Sequence, residues 1–191
     1  MGITLVTGPK IEPVELREVK LHLRQDSSSD DVLIQNLIVA ARETAQVKTG
    51  RQLLTAIYDY TLDAFPACDF FTLPWPPLQS VTSIAYLDEN NISQPLANTV
   101  YEYDITVEPG IVRLKYDQTW PNTIDHANAV TIRYTCGWLT AAAIPYSLKA
   151  WLNLYVSHLY DNREMLNIGN LVNELPFFDC LLNQHKVFKV V

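Results

Sequence analysis

Asp30-Asp31-Val32-Leu33-Ile34-Gln35-Asn36-Leu37-Ile38-Val39-Ala40-Ala41-Arg42-Glu43-Thr44-Ala45-Gln46-Val47-Lys48-Thr49-Gly50 is the most regular stretch of the chain. Leu33, Ile34, Leu37, Ile38, Ala41 and Ala45 recur at helical period and make one apolar face. Gln35, Arg42, Glu43 and Gln46 are expected on the opposite side. Ala41 and Ala45 are small enough to let another element approach closely. Gly50 is placed to end the helix in a left-handed cap, which a residue without Cβ adopts at no steric cost.

Upstream, Pro13 can open a helix, because the N–H it lacks has no partner in a first turn. Leu16, Val19 and Leu23 follow on one face. Ser27-Ser28-Ser29-Asp30 breaks this helix and supplies caps for the next. The zone to about Gly50 is therefore expected to be helical.

Downstream the period changes. Ile57 to Leu62 is rich in β-branched and aromatic residues, as strands are. Pro66, Pro74, Pro76 and Pro77 leave Phe70 to Leu73 at best a short edge strand. Val81 to Leu87 is a further strand, closed by the turn residues Asp88-Glu89-Asn90-Asn91. Tyr101 to Val107 and Ile111 to Tyr116 flank Glu108-Pro109-Gly110, a turn signal. In Ala129 to Cys136, Val130, Ile132 and Tyr134 alternate. Short strands with frequent turns predict a small antiparallel sheet or barrel-like module.

Helical period then returns. Pro145 sits at a first turn, and Leu148, Trp151, Leu152, Tyr155 and Leu159 form a stripe that Asp161-Asn162-Arg163 ends. Glu174-Leu175-Pro176 starts a short last helix through Leu182. The expected fold class is α+β: a helical bundle formed by N- and C-terminal helices, with an inserted small antiparallel β module. Its divisions are N-terminal helices over 1–52, the β module over 53–140, C-terminal helices over 141–183 packing on the first, and an extended tail over 184–191.

Composition narrows the function. Hydrophobic residues make up 48% and charged residues 18%, enough apolar material for a core. No apolar stretch approaches the ~20 residues a membrane span needs. The opening residues have no basic segment followed by an apolar block, so no secretory signal is expected. The formal net charge of −7 disfavours non-specific binding to duplex DNA, which rests on neutralising phosphates with Lys and Arg. An acidic surface does suit a conduit that DNA passes without sticking. The three cysteines, Cys68, Cys136 and Cys180, are widely spaced and read as buried reduced thiols.

Residue patterns that carry chemistry are missing. His22, His126, His158 and His185 include no pair at metal-ligand spacing, so no metal or cofactor is expected. No Gly-rich phosphate loop and no nucleophile elbow is present. Asp30/Asp31 and Asp88/Glu89 are accounted for by caps and turns. Trp75, Trp120 and Trp138 could stack on a sugar or a base, but capping the ends of a β core is the simpler role, and no Lys/Arg stripe accompanies them. A carbohydrate- or ligand-binding β module built on these three, and a small hydrolase using His126 or His158, are the competing classes.

The end of the chain stands out. In Lys186, Val187, Phe188, Lys189, Val190 and Val191 four apolar residues flank or follow two cations. Such a terminus either folds back as a last strand of its own domain or adds a strand to a neighbour's sheet. These six are the candidate partner-binding residues; no catalytic residue is expected.

The order of segments resembles the head–tail connector (adaptor, or head-completion) family of long-tailed bacteriophages and gene transfer agents. The helix Pro13 to Arg24 is similar to that family's opening helix. Asp30-Asp31, Leu33-Ile34, Leu37-Ile38, Ala40-Ala41-Arg42-Glu43 and Thr49-Gly50-Arg51 resemble its long second helix. Leu73-Pro74-Trp75-Pro76-Pro77-Leu78-Gln79-Ser80-Val81 with Ile84-Ala85-Tyr86 is similar to its entry into the β region. Ile144-Pro145 through His158-Leu159-Tyr160-Asp161-Asn162-Arg163-Glu164 resembles its major C-terminal helix, and Glu174-Leu175-Pro176 before Leu181-Leu182 its closing element. The residues from Gln184 on extend beyond the likeness.

The resemblance implies a non-enzymatic virion subunit in a dodecameric ring of identical copies, docked beneath the portal protein at one capsid vertex. A downstream neck or tail-terminator protein would bind its far side, and genome DNA would pass through the lumen without sequence-specific binding. The implied location is the virion neck, after assembly in the host cytoplasm, with no membrane contact. Another neck or tail-terminator subunit is the nearest alternative.

Overall fold

A computed structural model describes residues 1–162 and 176–187 of the protein. The chain divides into two compact units. One joins Met1–Lys10 to Leu54–Trp138, and the other joins Ile11–Leu53 to the chain from Leu139 on. The class is mixed α+β, with antiparallel pairing in both sheets.

The first unit holds eight strands: β1 (Gly2–Thr7), β2 (Ala56–Leu62), β3 (Phe70–Thr72), β4 (Leu78–Leu87), β5 (Ser93–Pro95), β6 (Tyr101–Asp104), β7 (Ile111–Leu114) and β8 (Val130–Cys136). A five-stranded sheet runs β1-β2-β8-β4-β5, and a three-stranded sheet runs β3-β7-β6. The expectation that helix occupies the zone up to Gly50 is corrected here. Gly2–Thr7 pairs with β2, Gly2 opposite Thr61 and Leu5 opposite Tyr58. Its Ile-Thr-Leu-Val-Thr run is rich in the β-branched residues that strands favour.

Register aligns the buried side chains. Ala56, Tyr58 and Tyr60 of β2 face Cys136, Tyr134 and Ile132 of β8. All six lie in one buried cluster with Phe71, Leu73, Leu78, Val81, Ile84 and Val112. Side chains alternate along an unbroken strand, but the buried residues of β4 are Leu78, Val81 and Ile84, three apart. Two bulges explain this, one between Leu78 and Ser80 and one between Val81 and Ser83. From Leu78 to Ile84, β4 advances six positions where β8 advances four, Cys136 to Ile132. Each bulge inserts one residue and returns the next apolar side chain to the core.

Among the described residues the second unit holds four α-helices: α1 (Leu16–Leu23), α2 (Asp31–Thr49), α3 (Tyr146–Asp161) and α4 (Pro176–Asn183). α2 packs against α3, α1 and α4, and α3 against α1 and α4. Ile34, Ile38, Ala41 and Ala45 of α2 are buried as the periodicity requires, with Val19 of α1, Leu148, Trp151, Leu152 and Val156 of α3, and Leu182 of α4. Gly50 caps α2 at φ +69°, its N–H on the Gln46 carbonyl at 2.8 Å.

Two polar residues expected on the outer face of α2 are buried instead. Arg42 stands one turn from Ile38, and Gln46 one turn from Arg42. Arg42 Nε donates to Glu12 Oε2 at 2.9 Å, and Gln46 Oε1 accepts the Leu53 N–H at 3.4 Å. Asp30 does not cap α2 through its side chain. Its carboxylate takes the Tyr160 hydroxyl at 2.5 Å, which ties the start of α2 to the end of α3. The two helices therefore run antiparallel.

Candidate partner-binding surfaces

The six residues at the chain end were expected to act together. Lys186 and Val187 are described; Phe188, Lys189, Val190 and Val191 lie outside the described residues. The approach to them is built by the second unit. His185 Nε2 lies 2.7 Å from Ser147 Oγ, and Arg51 Nε donates to the His185 carbonyl at 2.5 Å. The Val187 N–H donates to the Thr49 carbonyl at 2.8 Å. A Cβ on Gly50 would stand 3.7 Å from that of Val187, an ordinary contact, so it is the left-handed cap and not the seat of Val187 that calls for glycine. Lys48 pairs with Asp179 at 2.8 Å, which holds α4 against α2. The tail thus leaves from a fixed point at the C-terminal end of α2.

Three further surfaces present apolar groups. β1 is an edge strand with Ile3, Leu5 and Val6 exposed and no charged side chain between Gly2 and Thr7. The opposite edge, β5, is three residues long and carries Pro95, features that blunt an edge. The outer face of the three-stranded sheet forms a shallow hollow of about 520 Å³. There Phe70, Arg113 and Glu102 stand side by side, and Tyr116 projects beside them. In the helical unit a groove of about 490 Å³ is lined by Ile11, Val14, Leu16, Ile38 and Val39, with Glu12 and Glu15 among its walls.

Charged groups on the β unit are placed structurally. Arg133 donates twice to Asp59 from directly opposite it in the sheet, at 2.8 and 2.7 Å. That bond holds the Asp59 carboxyl below the usual carboxylate range against the opposing effect of its burial. Asp88 is held low by the Ile92 N–H and Gln94, and Asp104 by the Thr106 hydroxyl and N–H. These are turn-closing bonds, not acid–base pairs.

The competing classes have specific geometry against them. Trp75 stacks on Tyr58 with centroids 6.3 Å apart and planes 11° apart. Trp120 stacks on Phe65 at 4.9 Å and donates its Nε1–H to the Cys68 carbonyl at 3.0 Å. Both rings pack against the core as partly buried members. Trp138 stands at the strand-end Gly137-Trp138, where its carbonyl accepts the Thr55 hydroxyl. His126 Nδ1 lies 2.7 Å from the Ala127 carbonyl, and His158 Nδ1 lies 3.3 Å from the Asn162 amide. Neither imidazole meets a carboxylate in these contacts. Among the described residues no group of His, Cys, Asp and Glu is placed to hold a metal, and no helix is long and apolar enough to cross a membrane.

The cysteines divide. Cys136 is buried and its thiol is pushed well above the ordinary range by that burial, whereas Cys68 and Cys180 are exposed, against the expectation that all three are buried. Sequence reasoning missed the β1 edge and the α1–α2 groove. The β-branched content of Ile3 to Thr7 was a readable signal for the first. The groove had none, because it is made by residues from separate segments.

The model of the family described as phage gp6-like head-tail connector protein matches residues 13–108. No curated protein matches the sequence significantly. Among solved structures, a chain from the neck of an empty GTA particle computed with C6 symmetry superposes with a TM-score of 0.80 at 20% identity, covering 100% of this chain and 98% of that one. A chain from the neck of a native GTA particle computed with C12 symmetry gives 0.78 at 22% identity, and one from the virion of a native gene transfer agent particle gives 0.77 at 21%, with the same coverage. At these identities the likeness is one of fold.

Proposed function

Because this chain belongs to the phage gp6-like head–tail connector family, it is a structural connector subunit, and we propose that it forms a ring of identical copies in the neck of a virion. The ring, dodecameric, sits beneath the portal, joins the capsid to the tail and continues the DNA channel. The observation that carries this is the full-length superposition on chains from necks computed with C6 and C12 symmetry. On this reading the four helices are a bundle and the β unit is a module inserted in it. The subunit does no chemistry; its work is to complement neighbours above, below and beside it.

The acidic balance supports the channel role, since a net charge of −7 repels the phosphate backbone and keeps DNA from adhering. Portal protein above and a neck or tail-terminator protein below are the implied partners, assembled in the host cytoplasm. Lys186, Val187, Phe188, Lys189, Val190 and Val191 are proposed to add a strand to the portal or to a neck neighbour. The fixed exit at Val187, tied to Thr49, supports this by setting the point from which the remaining residues reach out.

Imaging portal-bearing capsids with and without the purified chain tests the ring: added density of cyclic symmetry beneath the portal is expected. Capsids that never acquire it refute the reading. Deleting residues 186–191 is expected to abolish docking while the far-UV circular dichroism stays that of the full chain. Deleting residues 188–191 alone preserves the Val187–Thr49 bond and gives the same loss. Normal docking of either truncation removes the tail from the account.

A further inference from the structure

Tyr146 opens α3 and is 86% exposed, a large aromatic with no intramolecular seat. Lys149, one turn on, holds its ammonium 5.9 Å from the Tyr146 ring centroid. Among the described residues Lys149 makes no ion pair. Val47, near the C-terminal end of α2, is 75% exposed. The helical unit thus carries an aromatic, cationic knob.

The same unit carries a receptor of opposite character. The groove of Ile11, Val14, Leu16, Ile38 and Val39 has apolar walls and a carboxylate rim. Glu12 is engaged by Arg42, but Glu15 is exposed and has no ion pair among the described residues. Knob and groove stand apart along the unit. Ser147 meets His185, which Arg51 holds, so Tyr146 stands toward the C-terminal end of α2. The groove lies at Gln35, Ile38 and Val39, on the order of 15 Å before the Thr49 end of α2 at 1.5 Å per residue; Ala141, five residues ahead of Tyr146, also lines it, but Tyr146 does not, and its ring is exposed. Tyr146 does not fill its own copy's groove.

We infer that Tyr146 of one copy seats in the Ile11–Val39 groove of the next, with Lys149 facing the free carboxylate of Glu15. A knob and a groove at different places on one surface make a heterologous contact, and a heterologous contact repeated head to tail closes into a ring when the rotation allows. Charge complementarity selects the occupant: a protruding ring beside an unpaired ammonium fits an apolar slot beside an unpaired carboxylate. The inference rests on the ring reading and deepens it by naming the lateral contact.

The test uses full-length protein with Cys68→Ser and Cys180→Ser, in the form in which the wild type assembles, free or on portal-bearing capsids. Gln35→Cys at the groove together with Ala150→Cys, one turn from Tyr146, leave the tyrosine and the apolar walls in place; treated with a short bismaleimide, this form is expected to give a covalent ladder in steps of the 21.7 kDa chain. Each single-cysteine variant gives none. Glu15→Lys and Lys149→Glu are each expected to weaken self-association by about fivefold at low salt, and the pair together to restore most of it. A wild-type ring whose double-cysteine form gives no ladder overturns this contact and leaves the ring standing. A dimer from Ala150→Cys alone overturns it too, because the contact would then be isologous. Wild-type protein that is a single copy both free and on capsids defeats the ring reading itself.

Discussion

Replacing Gly110 by alanine is expected to destabilise the β unit by about 2–3 kcal/mol, the upper part of the range for overpacking a filled core. Gly110 is buried, and its carbonyl accepts the Leu73 N–H at 2.8 Å. A Cβ there would stand 2.5 Å from Leu78 Cβ, 2.6 Å from Cδ2 and 3.1 Å from Cγ. Carbon atoms in contact rest at about 3.5–4.0 Å, so the shortfall is about 1 Å. Rotating Leu78 moves Cδ2 and Cγ away but leaves Cβ, which the strand backbone holds. Relief therefore requires β4 or the Gly110 turn to shift. Urea unfolding followed by tryptophan fluorescence measures the loss, since Trp75, Trp120 and Trp138 belong to this unit. A double-mutant cycle then tests the cause. Leu78→Gly, which removes the Cβ as well as the branch, should alone cost about 3–5 kcal/mol, as Leu78 is only 5% exposed. In that background Gly110→Ala should cost less than about 1 kcal/mol, because the Cβ that the new methyl would meet is gone and the methyl refills part of the void. Equal costs in both backgrounds, or a loss below about 0.5 kcal/mol in the first, would refute the steric argument.

Asp59 has a folded pKa below its unfolded value of about 3.9, so the Arg133 bond stabilises the fold above that pH and is lost as pH falls through the folded value. Asp59→Asn should therefore be less stable than wild type at pH 7, with the gap closing below about pH 4; urea midpoints at pH 7 and pH 3 check this, and a gap that does not change with pH contradicts it. Native protein should react rapidly with a thiol reagent at Cys68 and Cys180 only, and Cys136 should react on unfolding, because burial both shields its thiol and keeps it protonated. Three fast thiols would mean that the β2–β8 core admits solvent.

How far the sequence could be read depended on the range of the forces involved. α2 was legible from Leu33 to Gly50 because its apolar period and its left-handed cap are properties of neighbouring residues. Its buried Arg42 was not, because the partner Glu12 lies thirty residues away and only the fold brings them together. In the candidate site the same division holds. The apolar end of the chain was visible as composition, whereas its anchoring by Thr49, Arg51 and Ser147 depends on contacts across α2, α3 and α4.

By itself the sequence determined the helical ends, the β-rich middle, the absence of motifs for catalysis and the likeness to a connector family. Each rests on local period, turn chemistry or composition. Tertiary structure alone decided that Gly2–Thr7 crosses to the β unit, that β4 buries every third residue, and that Ile11, Val14, Ile38 and Val39 share a groove. The reason is common to all three. A strand's register, a bulge and a groove are defined by a partner far along the chain, and nothing in a short window encodes which partner that is.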